Sequence, residues 1–470
     1  MRVLLIGGGA REHAIGQALA LAYADLVVAA PNQNPGLRAL AKRFVVAGTT
    51  DTAALVALAR DAHVDYAVIG PEQPLAAGVG DALRAANVPV VGPSKQGAQI
   101  ETSKRFCREL LERHRIPGSP RYLTVQHLDE VDARVAEMRG PFVVKPVGLT
   151  AGKGVKVLGT DFATPDEGAA YAKELLAAHP DAGGVLLEER AEGEEFTLMA
   201  FVTDSGVYPM PVVQDFKRAR PGDTGPNTGG MGSYSQRDHL LPFLSTTMRD
   251  RALDMMRKTV DALKAEGIPY RGILYGGFML TASGPVLIEF NARFGDPEAI
   301  NVLTLYEEGN FADLLAGVAT GRVDPNLVRF RTRATVVKYL VPPGYPEHPV
   351  TGGILTYDER GIEGTGTHLR FGSVDDAGPS QVRLSTSRGV ALVAEASAIH
   401  EAGARVEAAL AHVKGDYEVR HDIASKADLT MRLERMRKLF IPGARASPLP
   451  LSVAAPDAPP RSHGVAAQLL

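Results

Sequence analysis

Residues 142–154 read Phe142-Val143-Val144-Lys145-Pro146-Val147-Gly148-Leu149-Thr150-Ala151-Gly152-Lys153-Gly154. An apolar strand ending in a lysine runs into a loop with three glycines and a second lysine. Backbone amides in such a loop fold over the phosphates of a nucleotide, and the ammonium groups offset their charge. It is not a GxxxxGK[ST] phosphate loop, because no Ser or Thr follows the Gly152-Lys153 pair. A second strand, 155–158, and a helix, 167–178, complete what reads as a small lid of strands and a helix.

Upstream, residues 1 to about 115 alternate short apolar runs with amphipathic stretches. Strands are expected at 3–6, 26–30, 44–46, 66–69 and 88–91. Helices are expected at 12–24, 52–62 and 75–86, the second capped by Thr50 or Asp51. Strands joined by crossover helices imply a doubly wound parallel sheet. Gly7-Gly8-Gly9-Ala10-Arg11-Glu12-His13 follows the first strand and opens a helix, where free N–H groups suit an anion. A nicotinamide site would add an acid near the end of the second strand, yet no Asp or Glu lies between Asp25 and Asp51. A phosphate-bearing substrate is the better reading of this loop.

Downstream, Leu186-Leu187-Glu188-Glu189-Arg190-Ala191-Glu192-Gly193-Glu194-Glu195-Phe196-Thr197 links two strands, one of them expected at 196–202. Such acids form a solvated turn or, at a nucleotide hinge, accept hydrogen bonds from an adenine amino group and ribose hydroxyls. Gln214-Asp215-Phe216-Lys217-Arg218 precedes an irregular stretch, Asp223 to Gly232, with four glycines and a proline within 225–232. Long loops of this kind inside a compact unit are usually functional. A strand at 277–280 is followed by Ile288-Glu289-Phe290-Asn291-Ala292-Arg293-Phe294-Gly295-Asp296-Pro297-Glu298. Residues two apart on a strand share a face, so Glu289 and Asn291 present a carboxylate and an amide oxygen together while Phe290 faces the core. Hard oxygen donors suit Mg²⁺, which completes its shell with water and phosphate oxygens.

Bulk properties narrow the class. A chain of 470 residues divides into roughly two to four domains. A net charge of −3, without any concentrated basic stretch, argues against a nucleic-acid partner. The single cysteine, Cys107, reads as a buried residue on a helix and suits a reducing compartment. Met1 and Arg2 lead straight into an apolar strand, and no apolar run approaches the ~18 residues of a membrane helix. A cytoplasmic protein with no membrane association, acting as a monomer, is expected.

These pieces, in this order, resemble the ATP-grasp superfamily: a lysine strand, a glycine lid, an acidic hinge, then Glu-Phe-Asn. Within it the chain resembles the phosphoribosylamine-glycine ligase family, from Met1 to about Phe440, through GGGAREHA, VIGPEQPL, AGKGV, GDTGPNTGGMGSY and EFNARFGDPE. The resemblance implies an α/β and α+β multidomain fold: a Rossmann-like domain at 1–118, an ATP-grasp lid at 119–191, an ATP-grasp core at 192–328, a small α+β domain at 329–440 and a disordered tail at 441–470. It implies a ligase joining glycine to 5-phosphoribosylamine through glycyl phosphate in purine synthesis, with ATP as co-substrate and Mg²⁺ or Mn²⁺ as cofactor.

Position by position, it assigns Lys104, Lys145, Gly152, Lys153 and Gly154 to the ATP phosphates. Glu188, Glu189 and Ala191 would line adenine, and Glu195 would hold the ribose. Glu289 and Asn291 would bind metal. Gly8, Gly9, Arg11, Glu12 and His13 would receive the phosphate of phosphoribosylamine. Asp215, Lys217, Arg293 and the loop Asn227, Thr228, Gly229, Gly230, Met231 would surround glycine and the transferred phosphoryl group. Two departures stand out. Phe216 replaces a common histidine, and Gly277 stands where many ATP-grasp enzymes carry a further metal-binding acid. Two rivals are a ligase with the same chemistry on another amino acid or amine, and a nicotinamide- or nucleotide-sensing module built on the first domain.

Overall fold

The computed structural model describes residues 1–148, 154–178 and 183–440. Gly152, Lys153 and the 441–470 tail therefore lie outside the described residues.

The first sheet consists of β1 (Arg2–Ile6), β2 (Asp25–Ala30), β3 (Ala41–Val46), β4 (Tyr66–Ile69) and β5 (Val90–Val91), in the order 3-2-1-4-5. All its pairings are parallel. Val3 to Ile6 are wholly buried, as an unbroken apolar run requires when helices cover both faces. The strand order reverses on either side of β1, so the glycines after Ile6 sit where open α/β sheets leave a crevice. Asp51 caps the helix Thr52–Asp61 by accepting from the Ala54 N–H at 3.1 Å. The single helix expected over 75–86 is two, Glu72–Ala77 and Val79–Ala85, because Gly78 adopts φ +84° between them.

Residues 122–189 form a unit with its own apolar centre. It contains β6 (Tyr122–Val125), β7 (Phe142–Pro146), β8 (Lys156–Val157) and β9 (Val185–Glu189) in the order 6-9-7-8. Phe142, Val144, Phe162, Ala172 and Leu187 pack in a cluster separate from the main core.

The next strands are β10 (Glu194–Thr203), β11 (Gly206–Pro209), β12 (Gln214–Asp215), β13 (Arg218–Arg220), β14 (Thr224–Asn227), β15 (Gly232–Ser235), β16 (Gly272–Thr281) and β17 (Gly284–Asn291). Beyond them come β18 (Ala334–Leu340), β19 (Ile354–Tyr357), β20 (Thr367–Phe371), β21 (Val374–Gly378), β22 (Gln381–Leu384), β23 (Val390–Ala396) and β24 (Val413–Lys414). One antiparallel sheet runs 11-10-16-17, a second 12-15-18-23-20 and a third 21-22-19-24. Hydrogen-bonded strands thus cross the division expected at 328/329, since β15 pairs with β18 over Gly232↔Lys338 to Ser235↔Thr335. The first domain docks on the last through Asn34, whose amide donates to the carbonyls of Gly8, Phe371 and Gly372 at 3.0, 2.8 and 3.2 Å. Among the described residues no helix is long and apolar enough to cross a membrane.

Candidate active site

Glu289 and Asn291 end β17 on one side, 3.5 Å apart from amide nitrogen to carboxylate, while Phe290 is 2 % exposed beneath them. Burial alone would raise the Glu289 carboxyl, but Lys217, Lys104, Lys145 and Arg293 together hold it below its usual range. An ionised carboxylate in the field of four cations suits a site for a polyphosphate. Glu289 and Asn291 supply two hard oxygens, and no cluster of three His, Cys, Asp or Glu side chains suited to a metal occurs among the described residues. That set fits an ion that takes most of its ligands from phosphate and water, the habit of Mg²⁺. Gly277 pairs with Glu289 across the sheet and contributes no side-chain ligand.

Lys145, at the end of β7, is 5 % exposed and bonds the Glu188 carboxylate. Arg108, from the helix Lys104–Arg113, donates to the same carboxylate at 2.7 Å and to the carbonyls of Leu287 and Ile288 at 3.2 and 2.8 Å. Burial would raise the Glu188 carboxyl, but the two cations bring it down to about 2. The Glu188 side chain faces inward and holds Lys145, and Arg108 locks both to the segment before Glu289, so any part of Glu188 in an adenine site falls to its backbone. Glu189, next along the strand, is exposed and Ala191 partly exposed. Lys104 donates to the Gly148 carbonyl at 3.1 Å, at the mouth of the glycine loop. Gly154 closes that loop with φ +84°, its carbonyl accepting from the Tyr171 hydroxyl at 2.9 Å. Cys107 is buried, and burial pushes its thiol up to about 11, so it is inert.

Asp215 and Lys217 flank Phe216 and face the other way from it. Lys217 reaches Glu195 at 2.9 Å, which ties the residue expected to hold ribose to the one expected beside the transferred phosphoryl group. Phe216 is 1 % exposed and turns its ring toward Arg432 and Arg420, whose guanidinium carbons lie 4.4 and 5.1 Å from its centre. An imidazole at this position would lie between two guanidinium groups, on the far side of the strand from Asp215. The departure from histidine is therefore a packing change that favours cation–π contact.

Burial, reinforced by Glu298, Glu195 and Glu289 against the pull of Lys217, raises the Asp215 carboxyl to about 7. The folded protein then keeps a proton that the unfolded chain loses between about pH 4 and pH 7, so this group's contribution to stability falls as pH rises through that window. Relative to the parent, Asp215→Asn should gain melting temperature, on the order of a few degrees, between about pH 5 and pH 8. Thermal melts across that range decide it: a gap that stays constant means the carboxyl is ionised throughout.

At the loop after β1, the Gly9 N–H donates to Glu12 at 2.8 Å, and Arg11 bonds Glu12 at 2.6 Å and the Phe294 carbonyl at 3.1 Å. Gly8 leaves room for Asn32, since a Cβ there would lie 2.0 Å from its Oδ1 and would force that side chain to move. His13 departs from expectation. Its Nδ1 accepts from the Phe371 N–H at 2.9 Å, its ring stacks on Phe371, and burial with the nearby Arg370 charge keeps it well below its usual pKa. A neutral imidazole turned into a domain interface carries no charge to a phosphate.

Arg293 closes the cleft. It pairs with Glu101 at 2.9 Å and Glu72 at 3.5 Å, and donates to Asn291 Oδ1 at 3.1 Å. The loop expected around glycine folds back on the Lys217 segment: Thr228 donates from its N–H and hydroxyl to the Lys217 carbonyl at 2.7 and 2.8 Å. Asn227 leads into it from β14, and Gly230 takes φ +112° with a notional Cβ 2.6 Å from Pro297. Met231 enters by backbone alone, because its side chain is 2 % exposed and packed inward. Residues that the sequence reading missed are Arg108, Glu72, Glu101, Glu298, Tyr339 and Arg388. Glu72 lies within VIGPEQPL and Glu298 within EFNARFGDPE, where a signal was available; the others are joined to the site by partners far away in the chain.

Comparisons with known proteins bear on the family of the chain. Residues 1–101 match the family model for the phosphoribosylglycinamide synthetase N domain, and residues 102–299 match its ATP-grasp (A) domain. A phosphoribosylamine–glycine ligase of Pyrococcus abyssi is 44 % identical over 439 residues, 93 % of this chain and 98 % of that protein. The enzyme of the same name from Methanoregula boonei is 45 % identical over 442 residues, covering 93 % and 100 %. A crystal structure of phosphoribosylamine–glycine ligase from Thermotoga maritima superposes with a TM-score of 0.76 at 27 % identity, over 90 % of this chain and all of that one.

Proposed function

The chain belongs to the phosphoribosylamine–glycine ligase family of ATP-grasp enzymes, and from that premise we infer that it joins glycine to 5-phosphoribosylamine, converting ATP to ADP and phosphate. The observation that carries this reading at the site is the Glu289 carboxylate, kept ionised by Lys104, Lys145, Lys217 and Arg293.

A glycine carboxylate oxygen attacks the γ-phosphorus of ATP, the bond to the bridging oxygen breaks, and ADP leaves with glycyl phosphate formed. The amine of phosphoribosylamine then attacks the glycyl carbon, the C–O bond to phosphate breaks, and the nitrogen sheds a proton. Two anions meet in the first step, so the protein's main task is to offset charge and hold a line of attack. Lys145, fixed by Glu188 and Arg108, and Lys104 serve the phosphates; Arg293 and Lys217 serve the carboxylate and the transferring group. Asp215, titrating at about 7, suits the proton released in the second step. Glu289 and Asn291 would hold Mg²⁺ or Mn²⁺, which supplies further neutralisation of the phosphates. The acyl phosphate must be kept from water, a task that the resemblance gives to the glycine-rich stretch 148–154. The loop 7–13 receives the ribose phosphate through Gly8, Gly9 and Arg11, Glu12 orienting both Arg11 and the Gly9 amide. The chain works as a monomer in the cytoplasm.

Mass spectrometry of a reaction containing Mg-ATP, glycine and freshly generated phosphoribosylamine tests the assignment. It should give the glycinamide ribonucleotide with one ADP per product. Turnover only with another amino acid or amine would redirect the assignment within the ATP-grasp ligases.

A further inference from the structure

Arg388 lies in the turn between β22 and β23, far in sequence from every residue expected at the site, yet it reaches both loops of the acceptor cleft. Its Nη1 donates to the carbonyls of Gly229, Gly230 and Asp296 at 2.7, 3.1 and 2.9 Å. Its Nη2 pairs with the Asp296 carboxylate at 3.1 Å, and its guanidinium carbon lies 4.6 Å above the Tyr339 ring. Tyr339 donates its hydroxyl to the other oxygen of Asp296 at 2.5 Å. Nη1 has two protons for three carbonyl acceptors, so one is shared, while Nη2 is left for the Asp296 carboxylate, a division that needs the two nitrogens of a guanidinium.

What these contacts join matters more than their number. Gly230 N–H donates to the Thr228 hydroxyl at 3.0 Å, and Thr228 is bonded twice to the carbonyl of Lys217. Asp296 follows Arg293 by three residues, and its carboxylate faces Gly9, whose notional Cβ would lie 4.0 Å away. Arg388 is thus the link between the segment carrying Lys217 and the segment carrying Arg293, at the edge of the loop after β1. The side chain is 14 % exposed, and its paired carboxylate 16 %.

We propose that Arg388 is a positioning residue for the ligation: it fixes the Gly229–Gly230 turn against Asp296, so that Lys217 and Arg293 hold a set separation across the acceptor site. This rests on the ligase reading above. It gives the C-terminal unit a task in the reaction, setting the distance between two cations that belong to the ATP-grasp core.

The test uses the full chain with Arg388→Lys and Arg388→Ala, assayed for glycinamide ribonucleotide formation after the parent's product is established. A parent that makes no such product refutes the ligase reading; a parent that makes it with unaffected variants refutes this proposal alone. Expected are a loss in kcat on the order of 10²-fold for Arg388→Ala, a KM for ATP within about twofold of the parent, and partial recovery of kcat with added guanidinium. Arg388→Lys should recover only in part, since one ammonium cannot hold the loop carbonyls and also supply the second donor to the Asp296 carboxylate. Should Arg388→Ala fail to fold, Arg388→Lys decides. Parent-like kcat in the folded variant, or a loss that follows the folded fraction and moves the KM for ATP equally, overturns the proposal.

Discussion

Glu289→Gln is expected to lower glycine-dependent ADP formation by about 10³-fold or more while leaving a folded protein. The substitution keeps the shape and removes the charge. In the parent, the charges of Lys217, Lys104, Lys145 and Arg293 hold this carboxylate ionised although burial opposes it. Without it, on the proposed reading, the nucleotide phosphates lose the oxygen that would anchor a divalent ion, and Asn291 remains as a neutral donor. The Asn291 amide oxygen is already shared with Arg293 at 3.1 Å, so it does not replace the lost carboxylate. Half-maximal activity should require a higher Mg²⁺ or Mn²⁺ concentration in the variant. Initial rates measured across a metal titration check both parts. Unchanged rates with an unchanged metal requirement would remove Glu289 from the site.

Arg293→Ala should cost both turnover and stability, unlike Glu289→Gln. An arginine stabilising a transferring phosphoryl group is worth about 10³ to 10⁵ in rate. Arg293 also neutralises Glu101 and Glu72, and Glu101 is 7 % exposed with its carboxyl raised by burial even while the arginine is present. Removing one partner of a buried ion pair leaves the other charge uncompensated, at a cost of about 3 to 5 kcal/mol. Glu101 additionally accepts the Ala292 N–H at 2.8 Å, so its protonation loosens the end of β17 beside Glu289 and Asn291. Arg293→Lys should recover more stability than activity, because an ammonium offsets charge without the planar fork. Denaturant unfolding and single-turnover ADP formation on both variants separate the two effects. Parent-like activity in a folded Arg293→Ala would remove its catalytic assignment.

How much of this was legible in the chain follows from where the partners lie. The first sheet could be read because its strands are continuous apolar runs, and the helix over 52–61 because Asp51 is a local cap. Glu289 and Asn291 were legible because strand periodicity alone puts them on one face. Leu75–Ala86 was misread as one helix because apolar periodicity does not register Gly78 adopting a left-handed backbone. The side-chain contacts of Glu188 and His13 were hidden for a different reason. The direction of each side chain is set by Arg108 and by Phe371, which lie 80 and 358 residues away. Arg388 gave no local signal at all, since a guanidinium donating to backbone carbonyls leaves no mark on the partner's sequence. The cation–π packing of Phe216 was equally hidden, because both arginines belong to the last stretch of the described chain.

The acyl phosphate route makes the most direct demand on the atoms. Glycine labelled with ¹⁸O in both carboxylate oxygens should deliver one label to the released phosphate and keep the other in the amide carbonyl, turnover by turnover. Phosphate free of label, or AMP and pyrophosphate in place of ADP and phosphate, contradicts the account.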